Sequence, residues 1–128
     1  MADSISIAML GASGRMGRSI IPLIAGDSSG VRLSGALVAR GDNATGQDAG
    51  TFAGTALLAI AITDDARRAL ADASVAIDFT LADASIRNAA LCRELGVPMV
   101  IGTTGHTGAQ LAELEEIARA LPVVLAPN

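Results

Sequence analysis

A chain of 128 residues that is 51% hydrophobic fits one domain, and with Phe52 and Phe79 as its only aromatic residues the core must be aliphatic. Nine basic residues, all arginine, stand against 13 acidic ones for a net charge of −4. With no basic run this argues against a nucleic-acid or membrane-surface binder, though not against a local anion site.

The single cysteine, Cys92, excludes an internal disulfide and agrees with the cytoplasm as the expected location. The N-terminus lacks the basic flank of a signal peptide, and no apolar stretch reaches the roughly 18 residues of a membrane helix. Ile5–Leu10 is a short apolar run ending at Gly11, which predicts a buried strand. From Gly14 to about Ala25, Met16, Ile20, Leu23 and Ile24 recur at helical spacing, with Pro22 as a source of a kink. A turn at Asp27–Gly30 leads to a second strand, Val31–Val38. Ala39 to Thr55 is rich in Gly, Asp, Asn and Thr and reads as a long loop, with or without a short helical turn.

Leu58–Ile62 predicts a third strand, and a helix capped by Asp64 or Asp65 runs to about Ala71. Val75–Phe79 is the fourth strand, and the helix from Ala82 to Leu95 is stopped by Gly96 and Pro98. Pro98–Ile101 is the fifth strand. Thr107 and Gln110 form a capping box ahead of a buried stripe of Leu111, Leu114, Ile117 and Leu121, while Glu113, Glu115, Glu116 and Arg119 face water. Pro122–Leu125 is the sixth strand. Strands alternating with helices predict an α/β fold of Rossmann type, a doubly wound, mostly parallel sheet with helices on both faces.

The first strand runs into Gly11-Ala12-Ser13-Gly14-Arg15-Met16-Gly17, a GxxGxxG loop opening a helix. Such a loop brings backbone close to a pyrophosphate and offers it a helix start. Three further strand ends carry small or hydroxyl residues: Asp78-Phe79-Thr80, Gly102-Thr103-Thr104-Gly105 and Ala126-Pro127-Asn128. In an open parallel sheet all of them project toward the edge that holds the glycine loop.

Taken together, GASGRMG at Gly11–Gly17, DFT at Asp78–Thr80, VIGTTG at Val100–Gly105 and APN at Ala126–Asn128 resemble the 4-hydroxy-tetrahydrodipicolinate reductase (dihydrodipicolinate reductase) family, in that family's order and over the whole chain. The resemblance implies that residues 1–128 are the family's dinucleotide-binding domain. The enzyme reduces hydroxy-tetrahydrodipicolinate with NADPH or NADH in the diaminopimelate route to lysine. It implies Gly11, Ala12, Ser13, Gly14, Arg15, Met16 and Gly17 as the pyrophosphate loop, and Phe79 and Thr80 near the cofactor. Gly102, Thr103, Thr104, Ala126, Pro127 and Asn128 would lie beside the nicotinamide, with Thr104 also touching the substrate. The family's catalytic His pair and Lys belong to a second, substrate-binding domain that these 128 residues lack. The chain is therefore expected to hold no catalytic residue and no metal, and to bind cofactor without turnover. The resemblance also implies a small dicarboxylate substrate and a homotetramer for the intact protein, with this domain alone a monomer or weak dimer.

There are departures. The second strand ends in Val38-Ala39-Arg40-Gly41, without the acidic residue that often meets the adenosine ribose, and Asp42 reads as too far along. Arg40, helped by Arg15, could instead meet a ribose 2′-phosphate, which predicts that NADPH binds at least as well as NADH; a solvated loop arginine is an equal reading. Leu81-Ala82 replaces a basic residue and a proline common in the family. His106 reads as a turn residue, Cys92 as a packed one, and Asp78 as a holder of a loop amide. A short-chain reductase would need a Tyr and a Lys, and the chain has neither. The other alternative is a non-catalytic nucleotide-binding module of redox-sensing or CoA-binding type.

Overall fold

The computed structural model describes residues 4–126. Pro127 and Asn128, two of the expected cofactor residues, lie outside the described residues. The elements in chain order are β1 (Ile5–Leu10), α1 (Arg15–Ala25), β2 (Val31–Leu37), α2 (Ala49–Phe52), α3 (Ala66–Leu70), β3 (Val75–Asp78), α4 (Ala82–Leu95), β4 (Met99–Ile101), α5 (Gly108–Ala118) and β5 (Val123–Leu125). The strands form one parallel sheet in the order β2-β1-β3-β4-β5.

The alternation of side chains along a strand divides the interior in two. Ala8 and Leu10 of β1 join a cluster with Ala69, Leu70, Ala89, Cys92, Leu114 and Ile117, so α3, α4 and α5 cover that face. Ile7 and Met9 join Ile21, Ile24, Leu33, Ala36, Ala49 and Ile62, so α1, α2 and the long loop cover the other. This is the doubly wound Rossmann arrangement, with helices on both faces as expected.

Three expectations of detail are corrected. Leu58–Ile62 is not a strand, and the sheet has five strands, not six. Ala59 has φ +60, which breaks the extended run, and the segment pairs through the isolated bridge of Asp48 with Ala61 and through single hydrogen bonds to residues 46–49, with Ile62 buried in the core. In α1 the buried stripe is Gly17, Ile21 and Ile24, spaced four and three apart. Leu23 falls on the opposite side, 73% exposed, and Met16 is exposed as well. In α5 Leu114 and Ile117 are buried, but Leu111, in the first turn, is 39% exposed. Pro22 sits inside α1 without ending it, Asp65 rather than Asp64 caps α3, and Gly96 closes α4 with φ +73.

Candidate functional site

Because β1 lies between β2 and β3, the chain leaves its carboxyl end at the point where the winding reverses, and a crevice opens there. A groove of about 1010 Å³ occupies it. The turn after β1 lines it with Gly11, Ser13 and Gly14, the loop after β2 with Val38, Arg40 and Asp42, and the segment after β3 with Phe79 and Thr80. Arg87 and Asn88 of α4 complete the wall, and no motif in the sequence pointed to them.

The three glycines of the turn have different causes. Gly11 has φ +88, and a Cβ there would overlap the carbonyl of Phe79. A Cβ on Gly17 would overlap the carbonyl of Gly11, so this glycine lets α1 pack against the turn. At Gly14 the nearest atom to a Cβ would be the Gly11 oxygen at 3.5 Å, an ordinary contact, and φ −77 with ψ 175 suits any residue. The protein's own packing therefore does not require glycine at position 14. As the N-cap of α1, Gly14 supplies no side-chain acceptor, and the first turn holds no acid. The first amides of the helix are left for an outside acceptor, at the end where the helix dipole is positive.

Ala12 is buried, and Arg15 and Met16 are exposed beside the groove without lining it.

At the ends of β3 and β4 a buried polar cluster joins two of the motifs. Asp78 is fully buried. Its Oδ1 accepts from the Thr80 hydroxyl at 2.8 Å and from Asn88 Nδ2 at 3.4 Å, and its Oδ2 accepts from the Thr103 hydroxyl at 2.8 Å. The Thr103 oxygen in turn accepts the Thr80 amide at 2.8 Å, and the Gly102 amide donates to the Asp78 carbonyl at 2.8 Å. Asp78 thus holds hydroxyls as well as joining the strands. Thr103, expected to face a nicotinamide, has its side chain turned inward and committed. Thr104 is exposed, and its hydroxyl makes no hydrogen bond among the described residues. Gly102 has no Cβ because the Phe79 ring fills that space.

The loop after β2 holds the residue that the sequence placed too far away. The Asp42 amide donates to the Ala39 carbonyl at 3.1 Å, so the chain turns back at once. The Asp42 carboxylate accepts from the Ser13 hydroxyl at 2.7 Å and from the Ala44 amide at 2.8 Å. The Ala44 amide first, and then the Ser13 hydroxyl, hold its pKa below the usual carboxylate range against a smaller opposing effect of desolvation. Arg40 lines the same groove, exposed and without an acidic partner among the described residues.

Cys92 is buried, and desolvation, with the nearby Asp78 charge, pushes its thiol pKa up to about 12. It is a packed residue and not a nucleophile. His106 is half-buried, with Nε2 shielded and unpartnered.

Comparison with known proteins supplies the family. The family model described as dihydrodipicolinate reductase, N-terminus, matches residues 5–128. The 4-hydroxy-tetrahydrodipicolinate reductases of Anaeromyxobacter dehalogenans strain 2CP-1 and Alkalilimnicola ehrlichii are 47% and 46% identical to this chain over 122 residues. Each alignment takes in 95% of this chain and 45% of the relative, so the chain spans less than half the length of the relatives it matches. Among solved structures, the dipicolinate-bound dihydrodipicolinate reductase from Paenisporosarcina sp. TG-14 superposes with a TM-score of 0.77 at 22% identity, over 98% of this chain and 48% of that one. The amine dehydrogenase of Mycobacterium smegmatis gives 0.76 at 23%, over 99% and 39%. At such identities these two likenesses attest the fold alone. The family model takes in almost the whole chain, and the chain belongs to the dihydrodipicolinate reductase N-terminal domain family.

Proposed function

We propose that this chain is the NADH- or NADPH-binding domain of a cytoplasmic 4-hydroxy-tetrahydrodipicolinate reductase, and that it binds the dinucleotide along the groove at the carboxyl ends of the strands. The observation that carries the reading is Gly14, a glycine the fold does not need, at an uncapped helix start in the wall of that groove. A pyrophosphate is the ligand that such bare backbone suits.

In this reading Gly11–Gly17 form the pyrophosphate loop: the amides of Ser13, Arg15, Met16 and Gly17 face the pyrophosphate, while those of Gly11 and Ala12, which donate to the Leu37 carbonyl, and of Gly14, which donates to the Gly11 carbonyl, hold the turn in shape. Phe79 and Thr80 form the middle of the groove. Gly102, Thr103 and Thr104 at the end of β4, and Ala126 after β5, flank the nicotinamide. Thr103 does so through its backbone, because its hydroxyl is committed to Asp78. Thr104, whose hydroxyl has no partner among the described residues, reaches the substrate, a small dicarboxylate. When bound, the cofactor supplies the hydride that reduces that substrate. The protein residues bind and orient it, and the Phe79 ring packs against Gly102 at the end of β4. The whole protein is inferred to be a homotetramer assembled chiefly through its second domain, with this domain alone a monomer or weak dimer.

Gly14→Val tests the reading. The packing around Gly14 leaves room for a Cβ, so the variant is expected to keep the wild-type circular dichroism and Tm. Its affinity for NADH, measured by titration calorimetry, is expected to fall at least about tenfold, a loss of about 1.4 kcal/mol. Equal affinity in the two folded proteins would overturn the assignment.

A further inference from the structure

We propose that Asp42 takes the ribose-binding place that the end of β2 leaves unfilled, and that it makes the groove favour NADH over NADPH. The inference rests on the reading of the groove as a dinucleotide site.

In sheets of this kind an acidic residue after the second strand accepts the hydroxyls of the adenosine ribose. Here positions 38 to 41 are Val, Ala, Arg and Gly, none of which can accept through its side chain. The turn from Ala39 to Asp42 returns the chain to the glycine loop, and Asp42 becomes part of the groove wall. Its carboxylate is fixed from two sides, by the hydroxyl of Ser13 within the glycine loop and by the Ala44 amide. An ionised carboxylate accepts about four hydrogen bonds, so two held positions leave acceptor capacity toward the groove.

Position and chemistry then select the ligand. A ribose with free 2′ and 3′ hydroxyls offers two donors to this carboxylate. A 2′-phosphate removes one donor and sets a second negative group beside an ionised acid. Arg40 lines the same groove and would attract that phosphate, but its exposed side chain has no partner among the described residues and must be ordered on binding. The carboxylate is already held in place. The expectation from sequence, that NADPH binds at least as well as NADH, rested on a missing acid; the fold brings an acid back to the site.

Titration calorimetry of the chain with NADH, NADPH and ADP-ribose tests this, using the wild type, Asp42→Asn, Ser13→Ala and Arg40→Ala. The wild type is expected to bind NADH and ADP-ribose about tenfold or more tightly than NADPH, the scale of one charge-assisted hydrogen bond. Asp42→Asn should weaken NADH and ADP-ribose alike and strengthen NADPH, closing or reversing the gap. Ser13→Ala keeps the charge but frees it, so NADH should weaken several-fold while NADPH stays the poorer ligand. This second variant decides the matter if Asp42→Asn does not fold. Arg40→Ala should retain the NADH preference. An unchanged NADH-to-NADPH ratio in folded Asp42→Asn would overturn the role of Asp42 and leave the dinucleotide site standing. If the wild type bound none of the three ligands, the site and this inference would fall together.

Discussion

Asp78 and Thr103 show how a residue can serve a site without facing it. The three donors on the Asp78 side chain come from Thr80, Asn88 and Thr103, and a fully buried carboxylate is tolerated because it is so well supplied. Thr103→Val removes the hydroxyl that donates to Asp78 and accepts the Thr80 amide. A buried carboxylate and a part-buried amide then lose a partner, and stability should fall by about 1–3 kcal/mol in a urea titration. Thr103→Ser keeps the oxygen and should recover most of the loss, whereas Thr104→Val, at an exposed position, should stay within about 0.5 kcal/mol of wild type. Equal losses at 103 and 104 would mean that the cluster is not what joins the two strand ends. The sequence suggested that the DFT and GTTG segments share one sheet edge, and in the fold they meet there through Asp78, Thr80 and Thr103, with Phe79 and Thr80 lining the groove. It could not tell Thr103 from Thr104, since the period-two pattern stops with β4 and the inward turn depends on Asp78, 25 residues away. Asp42 was hidden for a similar reason: it lies in a loop without periodicity, and its placement depends on Ser13, 29 residues earlier.

The elements were most legible where local chemistry alone decides them. The Thr107–Gln110 capping box is present, with both reciprocal hydrogen bonds, and Gly96 ends α4 in the left-handed conformation. Thr107→Ala should accordingly cost about 1 kcal/mol, read as a fall in Tm. Leu58–Ile62 was misread because its apolar pattern suits a strand, while a tertiary contact takes over its backbone. The Asp48 carboxylate caps α2 through the Thr51 amide at 3.0 Å, and also accepts from the amides of Leu58 and Ile60, each at 3.1 Å. Those amides are thereby withdrawn from a ladder. Burial pushes the Asp48 pKa up, but the amide hydrogen bonds outweigh it and leave the pKa lowered. A carboxyl whose pKa is lower folded than unfolded adds stability above its unfolded pKa, and that stability is lost as pH falls through the folded value. The Tm of wild type should therefore exceed that of Asp48→Asn near neutral pH, and the gap should close on acidification below about pH 4, the ordinary carboxylate pKa. A gap that holds constant across that range would show that the charge on Asp48 does not organise the loop.

At the scale of the whole molecule, the alternation of strands and helices sufficed to read a doubly wound sheet, and the sheet order then dictates where a ligand lies; what the domain can do with the ligand is a separate question. Reduction by hydride transfer requires an acceptor held about 3–3.5 Å from the donor in an aligned geometry. In the proposed reading one wall for such an acceptor is the end of β4, where Thr104 is exposed and the Phe79 ring lies against Gly102. An opposite wall must grip carboxylates, for which Lys and Arg are the natural groups. The 128 residues contain no Lys, and the arginines lining the groove are Arg40, after β2, and Arg87, on α4, neither at the ends of β4 and β5. A proton donor is needed as well. There is no Tyr, and the one imidazole, His106, has its Nε2 shielded from solvent. Positioning of reactants is commonly worth about 7–11 kcal/mol, or five to eight powers of ten in rate. The chain should thus bind NADH by calorimetry and yet oxidise it, in the presence of freshly generated hydroxy-tetrahydrodipicolinate, no faster than the uncatalysed reaction. A reductase of the relatives' full length, assayed beside it, should turn over. Oxidation by this chain above the background rate, abolished in His106→Ala, would place the proton donor within these residues and overturn the division of labour proposed for the two domains.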